Sequence, residues 1–319
     1  MSSCLESKVS HLYTPAMEQR TVTVRVPATT ANLGPGFDCL GMALDWWNDV
    51  RMGVSSSPQV HIRGEGAHTL STGESNLVFR AAKALFREAG EAPPSLSIGC
   101  ENRIPLARGL GSSAAAIVGG LMAANALVER PISQKCLLSL AVGMEGHADN
   151  VTPALLGGCQ VVVMDGDRVV TASVPLPSDL IAVVFVPDVA MATQKARAIL
   201  PAMVSREDAV YNLGRVSLLV NALATGRLEE LRVATQDRLH QPEREKLFPA
   251  MRPIFQAARD AGALGVFLSG SGSSILALAE SDAEAIGREM ARAAEQAGVQ
   301  GSVKVSKPSP LGAHLVSAE

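Results

Sequence analysis

The sequence predicts an α+β protein with mostly antiparallel sheets, built as two subdomains. Its 319 residues, 47% of them hydrophobic, are enough for a large core that is divided in two. Strand-like and helix-like segments are mixed without the strict alternation that parallel α/β proteins show. Each half also carries a glycine–serine loop beside apolar segments, at 109–113 and 269–274. We expect domains at 21–175 and 176–319, after a flexible extension at 1–20.

Composition and charge exclude several classes of protein. A net charge of −3 gives no support for binding to nucleic acid or to an anionic membrane. The five cysteines are scattered and form no Cys-x-x-Cys pair, so we expect no disulfide framework and no zinc site, but reduced thiols in a cytoplasmic protein. No apolar run approaches the ~20 residues of a membrane-spanning helix. The extension at 1–20 lacks the layout of a signal peptide, and Met17 within it is an alternative start.

The first half of the chain is predicted to mix short strands with helices. β-branched residues alternate at 21–26, and Pro27 is expected to end that strand. Residues 28–38 include Asn, Gly, Pro and Asp, which predict a loop. Apolar residues recur at helical spacing from 76 to 89 and predict a helix. The remaining predicted elements of this half are strands at 43–54, 59–63 and 96–100 and a helix at 133–144.

The chain is organised around residues 103–129, where a loop becomes a helix. Gly109 and Gly111 allow backbone conformations that other residues avoid, and Ser112 and Ser113 are expected to cap the helix. The helix that follows is almost entirely apolar and is expected to be buried. Such a loop presents unpaired N–H groups and the positive end of the helix dipole, which together bind phosphate oxygens. A plain glycine turn before a core helix is the alternative interpretation.

A dinucleotide-binding fingerprint also fits the pattern Gly109-x-Gly111-x-x-Ala114, but this pattern carries little weight alone. The dinucleotide fold needs a strand that runs directly into the first glycine. Here the predicted strand at 96–100 ends well before Gly109, and Pro105 lies between them. The loop is not a P-loop either, because no Lys follows a glycine in it. The sequence around Gly109 therefore argues against binding of a nicotinamide cofactor.

A second candidate site follows the predicted helix at 133–144. Glu145, His147, Asp149 and Asn150 bring four polar groups of different chemistry within six residues, beside glycines. A single histidine is more often structural than functional, but a cluster this dense favours a functional site.

The second half is predicted to hold a hairpin, a further sheet and several helices. Apolar residues that include Val210 and Leu213 predict one buried face on a helix at 207–224. The charged run at 241–249 is expected to be a solvated connector. The predicted elements of this half are strands at 160–164, 168–173, 181–186, 264–268, 275–279 and 303–305, and helices at 193–200, 207–224, 228–234, 251–261 and 282–296.

Three segments, in the right order, resemble the motifs of the GHMP kinases. Residues 27–38, Pro-Ala-Thr-Thr-Ala-Asn-Leu-Gly-Pro-Gly-Phe-Asp, resemble the first motif, 105–115 the phosphate loop and 266–274 the third motif. The segment 145–158 resembles homoserine kinases in particular. The similarity spans about residues 21–306. It implies the two-domain GHMP kinase fold, with an N-terminal ATP-binding domain like ribosomal protein S5 domain 2, a ferredoxin-like C-terminal domain and an active site between them.

The resemblance implies a kinase that transfers phosphate from MgATP to the hydroxyl of L-homoserine, giving O-phospho-L-homoserine for threonine synthesis. It assigns substrate binding to Asn32 and Asp38, which would hold the amino-acid end, to His147, and to Arg197 and Arg244, which would hold the carboxylate. Two arginines suit a carboxylate because each gives charged, directional donors. Asp38 suits the ammonium group, so the set would bind a zwitterion.

The resemblance also implies the nucleotide and catalytic residues. Ser113 and Glu145 would be the Mg²⁺ ligands, as hard oxygen donors. Thr193 would lie near the reacting hydroxyl, and Asn150 stands where sugar and mevalonate kinases place an aspartate base. Since Asn cannot take a proton, the proton could leave to the γ-phosphate, with Asp149 as the runner-up base. The ATP-binding residues would be Pro105, Leu106, Ala107, Arg108, Gly109, Leu110, Gly111, Ser112, Ser113, Ala114, Ala115, Gly270, Ser271 and Gly272.

Two other functions stay open on the sequence alone. One is a GHMP kinase that acts on another alcohol, such as a sugar, shikimate or mevalonate. The other is a GHMP-fold sensor that binds ligands without turnover, against which the intact loop at 109–113 and Glu145 argue. An apolar sheet edge or helix face would support a homodimer.

Overall fold

The computed structural model describes residues 20–319, so the predicted extension at 1–20 and the alternative start at Met17 lie outside it, apart from Arg20. The strands are β1 Thr21–Asn32, β2 Gly36–Val54, β3 Gln59–Gly64, β4 Leu96–Asn102, β5 Cys159–Asp165, β6 Arg168–Val174, β7 Ile181–Pro187, β8 Gly265–Leu268, β9 Ile275–Ala279, β10 Gly301–Ser306 and β11 His314–Ala318. The helices are α1 Leu77–Glu88, α2 Ser112–Asn125, α3 Gln134–Glu145, α4 Ala148–Leu156, α5 Thr193–Ala198, α6 Arg206–Thr225, α7 Leu231–Ala234, α8 Gln241–Glu245, α9 Met251–Asp260 and α10 Ala283–Gln296, with a 3-10 turn at Leu228–Glu230.

The strands form two sheets, which confirms the α+β prediction. The first sheet has the order β11-β1-β2-β4-β3, and the hairpin β5–β6 branches from β2. The second sheet has the order β10-β7-β9-β8. All pairs are antiparallel except β3 with β4. The sequence analysis missed β11, which returns near the chain end to pair with β1 of the first sheet.

Helices pack against both sheets, and the hydrophobic core lies between them. α2 is buried as predicted, with Ile117, Val118 and Leu121 each about 1% exposed. A second cluster packs α9 and α10 against the second sheet. The four cysteines between residues 20 and 319 are free thiols, and no helix in this range is long and apolar enough to cross a membrane.

β1 does not end at Pro27 and β2 already begins at Gly36, so the prediction of a loop at 28–38 is right only for residues 33–35. The register with β2 shifts between Pro27 and Ala28, and pairing then continues to Asn32. Such a shift lets a strand pass a residue that cannot donate a hydrogen bond. Successive side chains of a strand point to opposite faces. Thr29 therefore bonds to α4, and Thr30 bonds to the loop at 269–274.

Three further local predictions are wrong. Gly111, in the left-handed conformation, is the N-cap of α2, so Ser112 and Ser113 lie inside its first turn instead of capping it. The run at 241–249 is not a solvated connector, because it begins as α8 and carries the fully buried Arg244. On α6 the buried side chains cluster toward the C-terminal half, and Val210 and Leu213 are 61% and 64% exposed.

Candidate active site

One cavity brings together residues from distant parts of the chain. Its volume is about 230 Å³, and it lies between the loop that precedes α2, the end of α3, the start of α4, α5, α8 and the loop at 269–274. The lining residues are Asn32, Ala107, Gly109, Leu110, Gly111, Ser112, Ser113, Glu145, His147, Asp149, Asn150, Thr193, Arg197, Arg244, Gly270 and Ser271. All of these were named from the sequence. The predicted residues that do not line it are Asp38, Pro105, Leu106, Arg108, Ala114, Ala115 and Gly272.

The two glycine loops pack directly against each other. A Cβ added to Gly109 would lie 2.0 Å from the carbonyl oxygen of Ser269, so only glycine fits there. The Ser269 hydroxyl donates to the Gly109 carbonyl across 2.6 Å. The backbone N–H of Gly270 donates to the carbonyl of Ala31 across 3.1 Å. These contacts fix the loop at 269–274 against β1 and against the start of α2.

The start of α2 has the features that suit a phosphate group. The first N–H groups of an α-helix have no partner inside the helix, and the helix dipole adds positive potential there. Ser112 and Ser113, in the first turn of α2, both line the cavity.

Arg108, in the loop before α2, does not line the cavity. Its guanidinium donates to the carbonyls of Pro187 and Asp188, across 2.7 Å and 2.6 Å. Arg108 therefore fastens the loop to the end of β7.

Ser113 and Glu145 form a pair of oxygen donors at the cavity wall. The Ser113 hydroxyl donates directly to the Glu145 carboxylate. Among residues 20–319 there is no group of three or more His, Cys, Asp and Glu side chains that could hold a metal ion. Mg²⁺ in phosphate-transferring sites takes only one or two protein oxygens and completes its shell with phosphates and water. The donor pair therefore fits a Mg²⁺ ion that is shared with a nucleotide.

The N-terminus of α4 carries a chain of hydrogen bonds. His147 donates from Nδ1 to Asp149 across 2.7 Å, and Asn150 donates to the same carboxylate oxygen across 3.2 Å. Thr29 in turn donates to the Asn150 carbonyl oxygen across 2.8 Å, which fixes the orientation of the amide. Burial alone would lower the pKa of His147, but the hydrogen bond and charge of Asp149, with the charge of Glu145, raise it.

Asp38 and Arg197 face each other, although the resemblance assigned them to opposite ends of one substrate. Their two hydrogen bonds measure 2.9 Å and 2.7 Å, in bidentate geometry. Asn32 accepts from the backbone N–H of Asp38 across 3.0 Å and donates to the carbonyl of Gly270 across 2.9 Å. Arg197, which lines the cavity, is therefore paired with the anion of Asp38, which does not line it.

Arg244 is a buried cation whose side-chain hydrogen bonds go to neutral groups. It is 1% exposed and donates to the carbonyls of Ala196 and Gly270, across 3.3 Å and 2.9 Å, and to Nδ1 of His240 across 3.0 Å. Burial and the nearby charge of Arg197 lower the pKa of Arg244 to about 10, so the guanidinium stays charged at neutral pH.

Thr193 lines the cavity from α5. It is the first residue of α5, and its hydroxyl lies 3.3 Å from that of Ser271. The sequence analysis missed two residues that hold this site, Thr29 and His240. Thr29 lies inside the motif at 27–38 and could have been found there, whereas nothing near His240 in the sequence marks it.

Comparison with known proteins agrees with this geometry. The GHMP kinases N terminal domain family matches residues 76–158, and the GHMP kinases C terminal family matches residues 219–296. The homoserine kinase of Moorella thermoacetica is 46% identical over 293 residues, which cover 92% of this chain and 99% of that protein. The homoserine kinase of Microchaete diplosiphon is 45% identical, covering 89% of this chain and 94% of that protein.

Solved structures show the same relationship. The crystal structure of homoserine kinase from Cytophaga hutchinsonii matches with a TM-score of 0.85 and 33% identity, covering 96% of this chain and all of that one. The mevalonate kinase of L. major, at 17% identity and a TM-score of 0.68, shares the fold. The structure thus has the two-domain GHMP kinase fold, and the chain belongs to the homoserine kinase family of the GHMP kinases.

Proposed function

We propose that this protein transfers the γ-phosphate of ATP to the hydroxyl of L-homoserine and so forms O-phospho-L-homoserine for threonine biosynthesis. One observation carries the proposal. A single cavity joins the glycine loop and first turn of α2, which suit phosphates, to Arg197 and Arg244, which suit a carboxylate. Relatives named homoserine kinase, at 46% identity over nearly their whole length, support the same conclusion.

The substrate would be bound as a zwitterion. Its carboxylate would meet Arg244 and Arg197, and its ammonium group would meet Asp38, which already lies beside Arg197. Asn32 would contribute by holding the backbone of Asp38 in place. His147 would add a polar contact to the same substrate. The neighbouring carboxylates raise the pKa of His147, although burial opposes them.

The nucleotide would lie along the start of α2. The N–H groups of residues 109–113 would hold the phosphates, and the loop at 269–274 would close the site from the second domain. Ser113 and Glu145 would hold Mg²⁺, which neutralises phosphate charge when it is bound. Of the other residues predicted for ATP, Arg108 would act by fastening the loop to β7.

Alignment and charge stabilisation would carry the catalysis. Asn150 cannot accept a proton, and its amide is fixed between Thr29 and Asp149. It would therefore orient the substrate hydroxyl, together with Thr193, toward the γ-phosphate, and the proton would leave to that phosphate. Asp149 lines the cavity as the runner-up base, but its Oδ1 already accepts from both His147 and Asn150.

A coupled ADP-release assay tests the proposal. MgATP is supplied with L-homoserine and, in separate reactions, with L-threonine, L-serine, mevalonate and galactose. Rapid release with L-homoserine alone supports the proposal. Faster release with another alcohol would mean a different GHMP kinase activity, and MgATP binding without turnover on any of them would mean a sensor. A titration with NADH that changes its fluorescence would revive the dinucleotide interpretation.

We further propose a cytoplasmic location and a homodimer. The exposed side chains of Val210 and Leu213 on α6 offer a candidate apolar face for a second copy. Light scattering on the purified protein tests this, because a mass of one chain, 33.3 kDa, would exclude the dimer.

A further inference from the structure

Arg244 depends on its surroundings for orientation. Its guanidinium is buried, and each side-chain hydrogen bond that it makes goes to a neutral acceptor: two backbone carbonyls and the ring of His240. A buried charge is costly unless hydrogen bonds and an opposite charge compensate it. The neutral acceptors take protons of Nε and Nη1, and the carboxylates of Asp38, Asp237 and Asp149 act on the charge only through space, so direct contact with an anion is left to a substrate carboxylate in the cavity.

His240 can accept from Arg244 in only one tautomer. Its Nε2 lies 2.7 Å from the carbonyl oxygen of Gly34, which can only accept, so Nε2 carries the proton. Nδ1 then has a free lone pair, and the guanidinium of Arg244 donates to it across 3.0 Å. The side chain of His240 is fully buried, and burial, with the charge of Arg244, lowers the pKa of His240 against the opposing charge of Asp237, which keeps the ring neutral.

The backbone of His240 is fixed as well. The carboxylate of Asp237 is fully buried and accepts from the N–H groups of Leu239, His240 and Gln241, across 3.0, 3.0 and 2.7 Å. Asn212 of α6 donates to the same carboxylate across 2.7 Å. His240, the N-cap of α8, is therefore held by contacts within the protein itself.

The β1–β2 turn and the end of β1 before it are connected to Arg244 by two sets of hydrogen bonds. Gly34 in that turn anchors the ring of His240, and Asn32, two residues earlier, donates to the carbonyl of Gly270. The same carbonyl accepts from Arg244 across 2.9 Å. Arg244 is thus held on two sides by contacts that lead to one turn of the first sheet. Of these contacts, the hydrogen bond to Nδ1 of His240 is the one that a side-chain substitution can remove.

We propose that His240 is a positioning residue, which acts through Nδ1 to aim the guanidinium of Arg244 at the carboxylate of the amino-acid substrate. The proposal deepens the proposed function and rests on it. His240 itself would not touch the substrate, so its loss would weaken recognition of the carboxylate while leaving phosphate transfer and MgATP binding in place.

Two matched variants separate this role from a general structural one. In His240→Asn the amide oxygen takes the place of Nδ1 and can accept from Arg244, whereas in His240→Gln the amide reaches Gly34 in the place of Nε2 and the acceptor for Arg244 is lost. We expect His240→Gln to raise the KM for L-homoserine by about tenfold or more, because a buried charged donor loses its acceptor. We expect His240→Asn to stay within about threefold of the unsubstituted protein. In both variants kcat and the KM for MgATP should change by less than about threefold.

A substrate without a carboxylate provides the internal control. 3-Aminopropan-1-ol is homoserine with the carboxylate removed, so kcat/KM for this alcohol should be the same in His240→Gln and in the unsubstituted protein. Equal losses in the two variants, or an equal loss for both alcohols, would overturn the positioning role. An unsubstituted protein that fails to phosphorylate L-homoserine would instead overturn the proposed function, so the two failures are distinguishable.

A measurement on the unsubstituted protein guards against variants that do not fold. Nitrogen-15 NMR of the histidine side chains reports which ring nitrogen carries the proton. We expect His240 to carry its proton on Nε2 alone. A proton on Nδ1, whether as the other tautomer or as the imidazolium, would overturn the proposal, because Nδ1 could not then accept from Arg244.

Discussion

Replacing Gly111 by alanine tests whether the start of α2 must lie where it does. Gly111 is the N-cap of α2 and has a φ of +67°. A Cβ at this position would lie 1.9 Å from the hydroxyl oxygen of Thr29 and 3.2 Å from the carbonyl oxygen of Asn150. Asn150 lines the cavity and is proposed to orient the substrate hydroxyl, and Thr29 holds its amide, so relief of the overlap must move either α2 or this pair.

The structure gives the size of both effects. A left-handed alanine costs about 1–2 kcal/mol wherever it stands. The overlap with Thr29 adds a displacement of about 1 Å or more, since close-packed carbon and oxygen atoms do not approach within 3.0 Å. A displacement of about 1 Å between reacting groups costs about a hundredfold in rate. We therefore expect kcat of Gly111→Ala to fall by about a hundredfold.

Gly226→Ala is the matched control. Gly226 caps the end of α6 with a φ of +72°, and no atom lies within 4 Å of an added Cβ. It carries the same backbone cost without the overlap, so its kcat should stay within about twofold while its melting temperature falls by a few degrees. Steady-state ADP release and thermal melts are measured on both variants. A kcat of Gly111→Ala within about threefold of the unsubstituted protein would refute the reasoning, as would an equal loss in the control.

Three further predictions concern the catalytic acid–base chemistry, the ion pair and the thiols. Asp149→Asn should keep kcat within about tenfold, because the proposed phosphate transfer needs no side-chain base; loss of all turnover with both substrate affinities intact would contradict this. Arg197→Gln should raise the KM for L-homoserine by about ten- to a hundredfold and leave that for MgATP unchanged, since a charge-assisted contact worth about 1.5–3 kcal/mol is lost; equal changes in both KM values would argue against a carboxylate role. Burial raises the pKa values of Cys100 and Cys159 to about 12, so less than about one thiol in a thousand is ionised at a pH of about 8, and mass spectrometry after iodoacetamide treatment of the native protein should find both unlabelled. Labelling of either at that pH would contradict the packing.

The parts of the site that sequence predicted are those whose chemistry is local. Gly109, Gly111 and the two serines after them form a continuous phosphate loop, and neighbouring residues place it before a buried helix. The cluster from Glu145 to Asn150 is likewise contiguous. In each case, the residue types and their spacing within a few positions already define the chemistry.

The parts that sequence could not predict depend on distant contacts. His240 acquires its role from Gly34, which lies 206 residues away, and nothing in the run at 241–249 distinguishes a buried helix from a solvated one. The apolar period of α6 correctly predicts a helix but not that Val210 and Leu213 are exposed, because periodicity does not say how much of a face is covered. β1 continues past Pro27 because its register with β2 shifts there, and this shift can be seen only in the pairing of the two strands.

In the proposed function the substrate would be selected at two levels, neither of which lies in the fold. A mevalonate kinase shares this architecture at 17% identity, so the fold alone does not choose the alcohol. The buried charge of Arg244 and the adjoining pair of Asp38 and Arg197 favour a zwitterion, because a ligand without a carboxylate gives the buried guanidinium no directly bonded anion. These groups treat L-serine and L-homoserine alike. In the proposed function the length of the substrate would make the second choice: serine, one methylene shorter than homoserine, would bring its hydroxyl short of Thr193 and Asn150 when its ionic groups are bound.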